Sequence, residues 1–164
     1  MKTILLLRHG KSSWADSSLR DFDRPLKDRG LNAAPLIGRF LRKKKIEPDL
    51  VISSTAVRAR QTAMLVIESA ELTCELRFDE RIYEADLATL LTILSQLDEN
   101  ANVAMLVGHN PGMENLLQWL TSKILPMPTA ALACIDLQVS TWNDVRTGGG
   151  DLKWLVTPAE LKIN

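Results

Sequence analysis

The sequence predicts an α/β fold, a three-layer sandwich in which a mostly parallel central sheet carries helices on both faces and ends in a C-terminal hairpin. Short, continuous apolar runs occur at residues 3–7 ("TILLL"), 49–53 ("DLVIS") and 102–107 ("NVAMLV"), and each precedes a segment with helical periodicity. Strands that alternate with helices in this way form sheets covered by helices. The length of 164 residues suits one hydrophobic core, so we expect a single domain over residues 1–164.

The first helix is expected at about Lys27 to Lys45, where Leu31, Ala34 and Leu41 fall on one apolar stripe. Pro35 lies within this range. Because proline has no N–H group to donate and crowds the preceding turn, it either kinks this helix or marks its true start.

Three further helices follow the same alternation. The second lies within "ISSTAVRARQTAMLVIESA", the third spans roughly Ala85 to Leu97, and the fourth follows "GHNPG" and continues through "ENLLQWLTSKI". In the fourth, Asn110 suits the N-cap and Pro111 the first helical position.

The C-terminal part of the chain predicts two strands, "ALACIDLQV" and "LKWLV", joined by a hairpin. The connection contains the triplet Gly148–Gly150, which has the composition of a nucleotide-binding loop. No predicted strand leads directly into the triplet and no helix follows it, so we interpret it as a turn.

The overall charge argues against several classes of partner. Lys and Arg total 20 and Asp and Glu total 20, which leaves no general field to attract nucleic acid or an anionic membrane. The initial "MKTILLL" has no small-residue cleavage site and is shorter than a bilayer span, so it predicts a strand rather than a signal. Cys74 and Cys134 lie in apolar contexts, which indicates buried thiols and a reducing, cytoplasmic location.

Unusual polar residues follow three of the predicted strands. Arg8 and His9 end the first, residues 53–58 with Arg58 follow the second, and His109 ends the strand "NVAMLVG". Ligands of open α/β sheets bind outside the carboxyl ends of the strands, so these turns are expected to meet. Helices after the turns add N–H groups and positive dipole ends that suit an anion.

A phosphoryl group is the ligand that fits these residue types best. The guanidinium forks of Arg8 and Arg58 match phosphoryl oxygens and would neutralise charge in the transition state. A neutral His9 could accept the group covalently and lose it to water. Each motif alone also suits a surface ion pair or a capped turn. Two histidines without clustered Cys or acidic residues argue against a zinc site, so no metal and no cofactor is expected.

These segments resemble the motifs of the histidine phosphatase (phosphoglycerate mutase-like) superfamily. "LLLRHGKS" resembles its Arg-His-Gly motif, "SSTAVRARQTA" its second-arginine motif and "VGHNPG" its second-histidine motif, in the family order. "DRPLKDRG" at residues 23–30 is similar to the segment that starts the first helix of the family. The whole looks most like the short SixA-type phosphohistidine phosphatases.

The resemblance implies a role for each matching residue. His9 would be the phosphorylated nucleophile, and Arg8, Arg58 and His109 would form the phosphate pocket. Arg24 is implied as a further phosphate ligand; alternatively, it enters the helix paired with Asp21 or Asp23. Lys11 and Ser12 stand where the wider family often has contact residues, although they could simply face solvent.

One departure from the larger family members concerns the general acid. Glu84 in "DERIYEAD" is the nearest candidate, with Glu80 behind it, and a solvated carboxylate at a helix start is the alternative. A phosphohistidine substrate has less need of such an acid, because its imidazole can already carry a proton on the ring nitrogen that is not bonded to phosphorus.

The chain length also bears on the substrate. No segment between the motifs has room for the helical insertion that roofs the small-molecule enzymes of the superfamily, so an open site is expected. We therefore expect a metal-independent phosphatase that acts on a phosphohistidine of a signalling or phosphotransfer protein. The alternatives are a phosphomonoesterase for small molecules or phosphoproteins, and a phosphotransfer or phosphate-binding module whose His9 keeps its phosphate.

Overall fold

A computed structural model describes residues 1–162 of the chain. Its centre is one six-stranded sheet with the strand order β3-β2-β4-β1-β5-β6. The strands are β1 (Lys2–Arg8), β2 (Leu50–Ser53), β3 (Glu75–Phe78), β4 (Val103–Gly108), β5 (Leu132–Leu137) and β6 (Gly150–Val156).

The first four strands are parallel, and the last two form the antiparallel hairpin at one end of the sheet. β1, β4 and β2 are neighbours, and their registers pair Arg8 with Gly108 and Ser53 with Val107. These pairings align the carboxyl ends of three strands. The polar residues that follow them in the sequence therefore emerge side by side.

Within residues 1–162, five α-helices accompany the sheet: α1 (Asp28–Lys44), α2 (Val57–Ala70), α3 (Leu87–Ser95), α4 (Gly112–Thr121) and the short α5 (Pro158–Leu161). α1 and α2 pack on one face with Leu5 and Leu7 of β1, and α3 and α4 pack on the other face with Ile4 and Leu6. Because β1 is covered on both faces, its apolar residues are consecutive rather than alternating. The three-layer α/β prediction is confirmed.

The first helix differs from its prediction in two respects. It begins at Asp28, so the alternative in which Pro35 marks its start is wrong, and Pro35 lies in the helix interior. Leu31 lies outside the buried stripe and is 41% exposed, whereas Ala33, Ala34 and Ile37 face the core. The carbonyl that Pro35 leaves without a donor is that of Leu31, on the solvent side where water can serve it.

The other helices differ at their ends. α3 is two residues shorter than expected at each end, and the side chain of Asp86 accepts a hydrogen bond from the Thr89 N–H as its N-cap. The expected cap of α4 is wrong, since the N-cap residue is Pro111 and the Asn110 side chain instead donates to the Met127 carbonyl. β3 and α5 were not predicted.

The C-terminal hairpin agrees with its prediction. β5 and β6 pair in antiparallel fashion, Gly148 lies in the connection with a φ of +69°, and Gly150 begins β6. Both cysteines are free; Cys134 is buried and Cys74 half-buried. Across residues 1–162, no helix combines the length and apolarity needed to cross a bilayer.

Candidate active site

The structure brings the three predicted strand ends together around two imidazoles. The backbone N–H of His9 donates to the Gly108 carbonyl at 3.0 Å, and this bond joins the end of β1 to the end of β4. The rings of His9 and His109 lie with their centroids 5.0 Å apart. Both histidines of the chain therefore share one site at the carboxyl edge of the sheet.

His9 is held with one ring nitrogen free. Its Nδ1 lies 2.6 Å from the Gly10 carbonyl oxygen, which can only accept, so Nδ1 carries the ring proton. The Nε2 lone pair is then available. Burial, opposed by the Gly10 hydrogen bond and reinforced by the charges of Arg58, Arg8 and Arg24, lowers the pKa of His9 to about 4. The imidazole is neutral at pH 7.

His109 follows β4 and contacts the exit of β2. Its Nε2 lies 2.8 Å from Ser54 Oγ, which also accepts from the Ala56 N–H at 3.2 Å. Burial, followed by the positive charge that His9 carries when protonated and by that of Arg58, lowers the pKa of His109 to about 3. Its Nδ1 is buried without a partner among the described residues.

Arg8 and Arg58 approach the histidines from different elements. Arg8 Nη1 donates to the Met127 carbonyl at 3.0 Å, while its buried Nε has no partner in residues 1–162. Arg58 lies in the first turn of α2 and is 7% exposed. Its Nη1 and Nη2 donate to the backbone carbonyl and to the carboxylate of Asp21, at 2.7 and 2.9 Å.

Arg24 is fixed on all three of its nitrogens. Nε donates to the Ser13 carbonyl at 3.0 Å, Nη1 to Asp21 Oδ1 at 2.8 Å and Nη2 to Ser12 Oγ at 2.6 Å. The exposed ring of Trp14 stacks 3.2 Å from its guanidinium carbon. Of the two carboxylates considered for Arg24, Asp21 is its partner and Asp23 pairs with Arg20. Ser12 thus faces Arg24 rather than solvent.

Two contributors to this arrangement were missed as site residues. Asp21 joins Arg24 to Arg58, and the Tyr83 hydroxyl donates to Asp21 Oδ2 at 2.6 Å. The Tyr83 ring lies edge-on to His109 with centroids 5.5 Å apart. For Asp21, the sequence offers one indication, its position three residues before Arg24. Tyr83 lies in no recognisable motif, so the sequence gives no indication of its role.

Glu84 lies on the rim of a cavity of about 520 Å³ that also reaches Arg58 and His109. It is exposed and has a φ of +56°, a left-handed conformation that is uncommon for residues other than glycine. Glu80 lies in a short 3₁₀ helix and does not line this cavity. Lys11 lines a different cavity with Arg29.

The unpartnered groups indicate what the site can hold. Buried polar atoms in proteins normally have hydrogen-bond partners. In residues 1–162, three buried side-chain atoms have none: the nitrogens Arg8 Nε and His109 Nδ1 and the acceptor Asn110 Oδ1. Three guanidinium groups lie close enough to influence His9. Cationic groups and unpartnered nitrogens of this kind suit an anion that offers acceptor oxygens. Among the described residues, no three His, Cys, Asp or Glu side chains gather as potential metal ligands.

Comparison with known proteins agrees with this chemistry. The model of the histidine phosphatase superfamily (branch 1) matches residues 4–109, which include Arg8, His9, Arg58 and His109. The chain belongs to the histidine phosphatase superfamily. The resemblance of its motifs to this superfamily is confirmed.

Individual known proteins match this chain over much of its length. Phosphohistidine phosphatase SixA of Escherichia coli is 25% identical over 98% of this chain and 96% of its own length. A structure of the protein histidine phosphatase SixA complexed with tungstate superposes with a TM-score of 0.83 at 25% identity, covering 97% of this chain and 99% of that one. An uncharacterized protein of Mycobacterium tuberculosis is 36% identical, but the match spans only 64% of this chain and 63% of the relative.

Proposed function

We propose that this histidine phosphatase superfamily member is a metal-independent phosphatase that removes the phosphoryl group from phosphohistidine on a signalling or phosphotransfer protein, through a covalent intermediate on His9. The observation that carries the proposal is the state of His9. It is buried and neutral, with the proton fixed on Nδ1 and the Nε2 lone pair free beside three guanidinium groups. A neutral imidazole of this kind is a competent nucleophile.

In the first step, Nε2 of His9 attacks the phosphorus atom of the substrate. The new N–P bond forms as the bond from phosphorus to the substrate imidazole breaks, and the electron pair of that bond goes to the departing ring. This ring leaves as a neutral imidazole, because its other nitrogen already carried a proton. Arg8 and Arg58 neutralise the phosphoryl oxygens as charge spreads over them, and Arg24 is proposed as a third cation.

His109 is proposed to donate to the same phosphoryl group. Ser54 Oγ accepts from the Ala56 N–H and can donate its own hydrogen to His109 Nε2, and in this arrangement the ring proton of His109 is on the unpartnered Nδ1. Water then attacks phosphorus, the bond to His9 breaks, and inorganic phosphate leaves with the protons that the water supplied.

A protein-borne substrate is supported by the openness of the strand ends. Three residues, 54–56, connect β2 to α2, and another three, 109–111, connect β4 to α4. These connections are too short to fold over the site. Neither of these two connections stands between His9 and a phosphohistidine that projects from another protein, and the longer connections at residues 9–27 and 79–86 contribute Asp21 and Tyr83 to the site.

The experiment uses a radiolabelled phosphohistidine protein and follows both phosphate release and label on the enzyme, without added metal. The wild type is expected to release phosphate with a transient label on the enzyme, and His9→Ala is expected to give neither. His109→Ala is still expected to become labelled on His9, but the labelled enzyme should form roughly tenfold more slowly than in the wild type. A wild type that keeps its label indefinitely would instead be a phosphotransfer or phosphate-binding module.

The alternative, a phosphomonoesterase, rests on the position of Glu84 at the cavity beside Arg58 and His109. An ester oxygen leaves poorly without a proton, so a general acid contributes more there than with an imidazole. If Glu84 is that acid, Glu84→Gln lowers turnover of an aryl phosphate far more than turnover of phosphohistidine. Glu80→Gln is the matched control, because Glu80 does not line the cavity.

A further inference from the structure

We infer that Asp21 is a positioning residue, which sets the separation and orientation of the Arg24 and Arg58 guanidinium groups for phosphoryl binding. This inference rests on the proposed function, since it assumes that the two arginines bind a phosphoryl group. Asp21 itself does not have to touch the substrate. Its contribution passes through the arginines that it holds.

The contacts of Asp21 converge from three parts of the chain. Oδ1 accepts from Arg24 Nη1 at 2.8 Å, and Oδ2 accepts from Arg58 Nη2 at 2.9 Å and from the Tyr83 hydroxyl at 2.6 Å. The Asp21 backbone carbonyl accepts from Arg58 Nη1 at 2.7 Å. One residue therefore bonds to both terminal nitrogens of Arg58 and to one of Arg24.

Charge and burial explain why the arginines need such a partner. The side chains of Arg24 and Arg58 are 7% and 8% exposed, whereas that of Asp21 is 46% exposed. Two nearly buried cations repel each other, and a carboxylate between them offsets that repulsion. Because the two carboxylate oxygens have a fixed spacing, the same carboxylate also fixes the distance between the forks.

The carboxylate is itself held in place. The hydrogen bond from Tyr83, together with those from Arg24 and Arg58, keeps the pKa of Asp21 well below its usual range, so Asp21 is ionised at pH 7. Tyr83 packs edge-on against Phe22, the residue next to Asp21, with centroids 5.1 Å apart. Three hydrogen bonds and this packing give the exposed carboxylate one orientation.

The affinity for tungstate distinguishes a positioning role of Asp21 from the effect of its negative charge alone. Asp21→Asn removes a negative charge near an anion site, which by charge alone would tighten anion binding. Loss of the charge-assisted hydrogen bonds would instead release the arginines, and we expect tungstate to bind about tenfold more weakly. Equal or tighter binding by Asp21→Asn, measured by calorimetry, would overturn the positioning role.

Asp23→Asn is the matched control. It makes the same change of charge two residues away, where the carboxylate pairs with exposed Arg20. Its tungstate affinity and its turnover are expected to equal those of the wild type. Asp21→Glu keeps the charge and should recover part of the affinity, and a variant no better than Asp21→Asn would contradict the role of the carboxylate.

Tyr83 gives an independent spectroscopic readout, because it is the only tyrosine in the chain. Burial, followed by the hydrogen bond and negative charge of Asp21, raises the pKa of Tyr83 to about 12, with Glu84 adding to the rise and Arg58 opposing it. The tyrosinate absorbance after a rapid pH jump should show a midpoint about one pH unit lower in Asp21→Asn. An unchanged midpoint would show that the contact is absent in solution.

Tungstate binding and the Tyr83 titration need no hydrolysis, so the two proposals can fail separately. A wild type that binds tungstate but hydrolyses neither phosphohistidine nor an aryl phosphate contradicts the proposed function. A wild type that is active, beside an Asp21→Asn variant with unchanged tungstate affinity and kcat, contradicts the positioning role.

Discussion

At the scale of single residues, the free Nε2 of His9 follows from one short contact. The Gly10 carbonyl can accept only from a protonated Nδ1, so the backbone itself selects the tautomer. Burial and the neighbouring arginines oppose a second proton, which would remove the lone pair. The buried, positively charged surroundings of His9 therefore keep its Nε2 unprotonated and able to act as a nucleophile.

This state of the two imidazoles can be observed directly. We expect nitrogen chemical shifts of His9 to show a protonated Nδ1 and an unprotonated Nε2, and neither histidine to titrate between pH 8 and about 5.5, because burial lowers both pKa values. The chain has two histidines, so assignment by His109→Asn is direct. A midpoint close to the ordinary histidine value of about 6.5 would contradict the prediction.

The sequence was sufficient to predict Arg8, His9, Arg58 and His109 as candidates, because each lies beside a strand end and needs only local context. The roles of Asp21 and Tyr83 could not be predicted in this way. Their contact joins residues 62 positions apart, and Asp21 meets Arg58 across 37 positions. Neither separation leaves a periodic pattern, because it depends on how the loop after β1 folds back.

At the scale of elements, the loop after β1 is fixed by pairing with the entry to α1. The Lys27 N–H donates to the Lys11 carbonyl at 3.0 Å, and the Ser13 N–H donates to the Pro25 carbonyl at 2.8 Å. Gly30, in the first turn of α1, lies against the same Lys11 backbone. The position of α1 therefore determines the path of the chain directly after His9.

Gly30→Ala tests this coupling between a helix and the site. A Cβ there would collide with the Lys11 carbonyl oxygen and lie 2.9 Å from the Lys11 nitrogen, so the loop must shift. We expect a loss of stability of about 1–3 kcal/mol and a fall in kcat of roughly tenfold, measured by urea unfolding and by phosphatase turnover.

Gly150→Ala is the control for Gly30→Ala. Its Cβ would lie 2.9 Å from the Leu120 carbonyl oxygen, a milder collision with a backbone carbonyl, in the C-terminal hairpin. It should lose stability but keep kcat at temperatures where it is folded. A fall in kcat of the same size in both variants would show that Gly30 acts through general destabilisation.

Two features differ from the sequence prediction for a similar reason: the unpredicted strand β3 and the cap of α4. β3 is an edge strand whose Glu75, Arg77 and Phe78 are exposed, so it lacks the continuous apolar run of β1. The cap of α4 differed because the Asn110 side chain bonds to Met127 across the site instead of to its own helix. Tertiary partners decided both outcomes.

At the scale of the whole molecule, a chain with no net charge concentrates three guanidinium groups around two neutral imidazoles. The cations attract a phosphoryl group locally, without a field over the whole surface. The cost falls on the histidines, because the folded protein must keep both of them unprotonated at a pH where an unfolded chain would begin to protonate them.

The stability of the molecule should therefore depend on pH above the range in which carboxylates titrate. The pKa values of His9 and His109 are lowered to about 4 and about 3, so between pH 7 and pH 5 the unfolded state binds more protons than the folded state. Stability rises with pH wherever this holds. We expect the free energy of unfolding to fall by roughly 1–2 kcal/mol per histidine as the pH is lowered from 7.5 to 5. Urea unfolding of His9→Asn should show a smaller fall over this range, since one of the two histidines is gone. An equal fall in the variant and the wild type would mean that His9 is not kept neutral by burial.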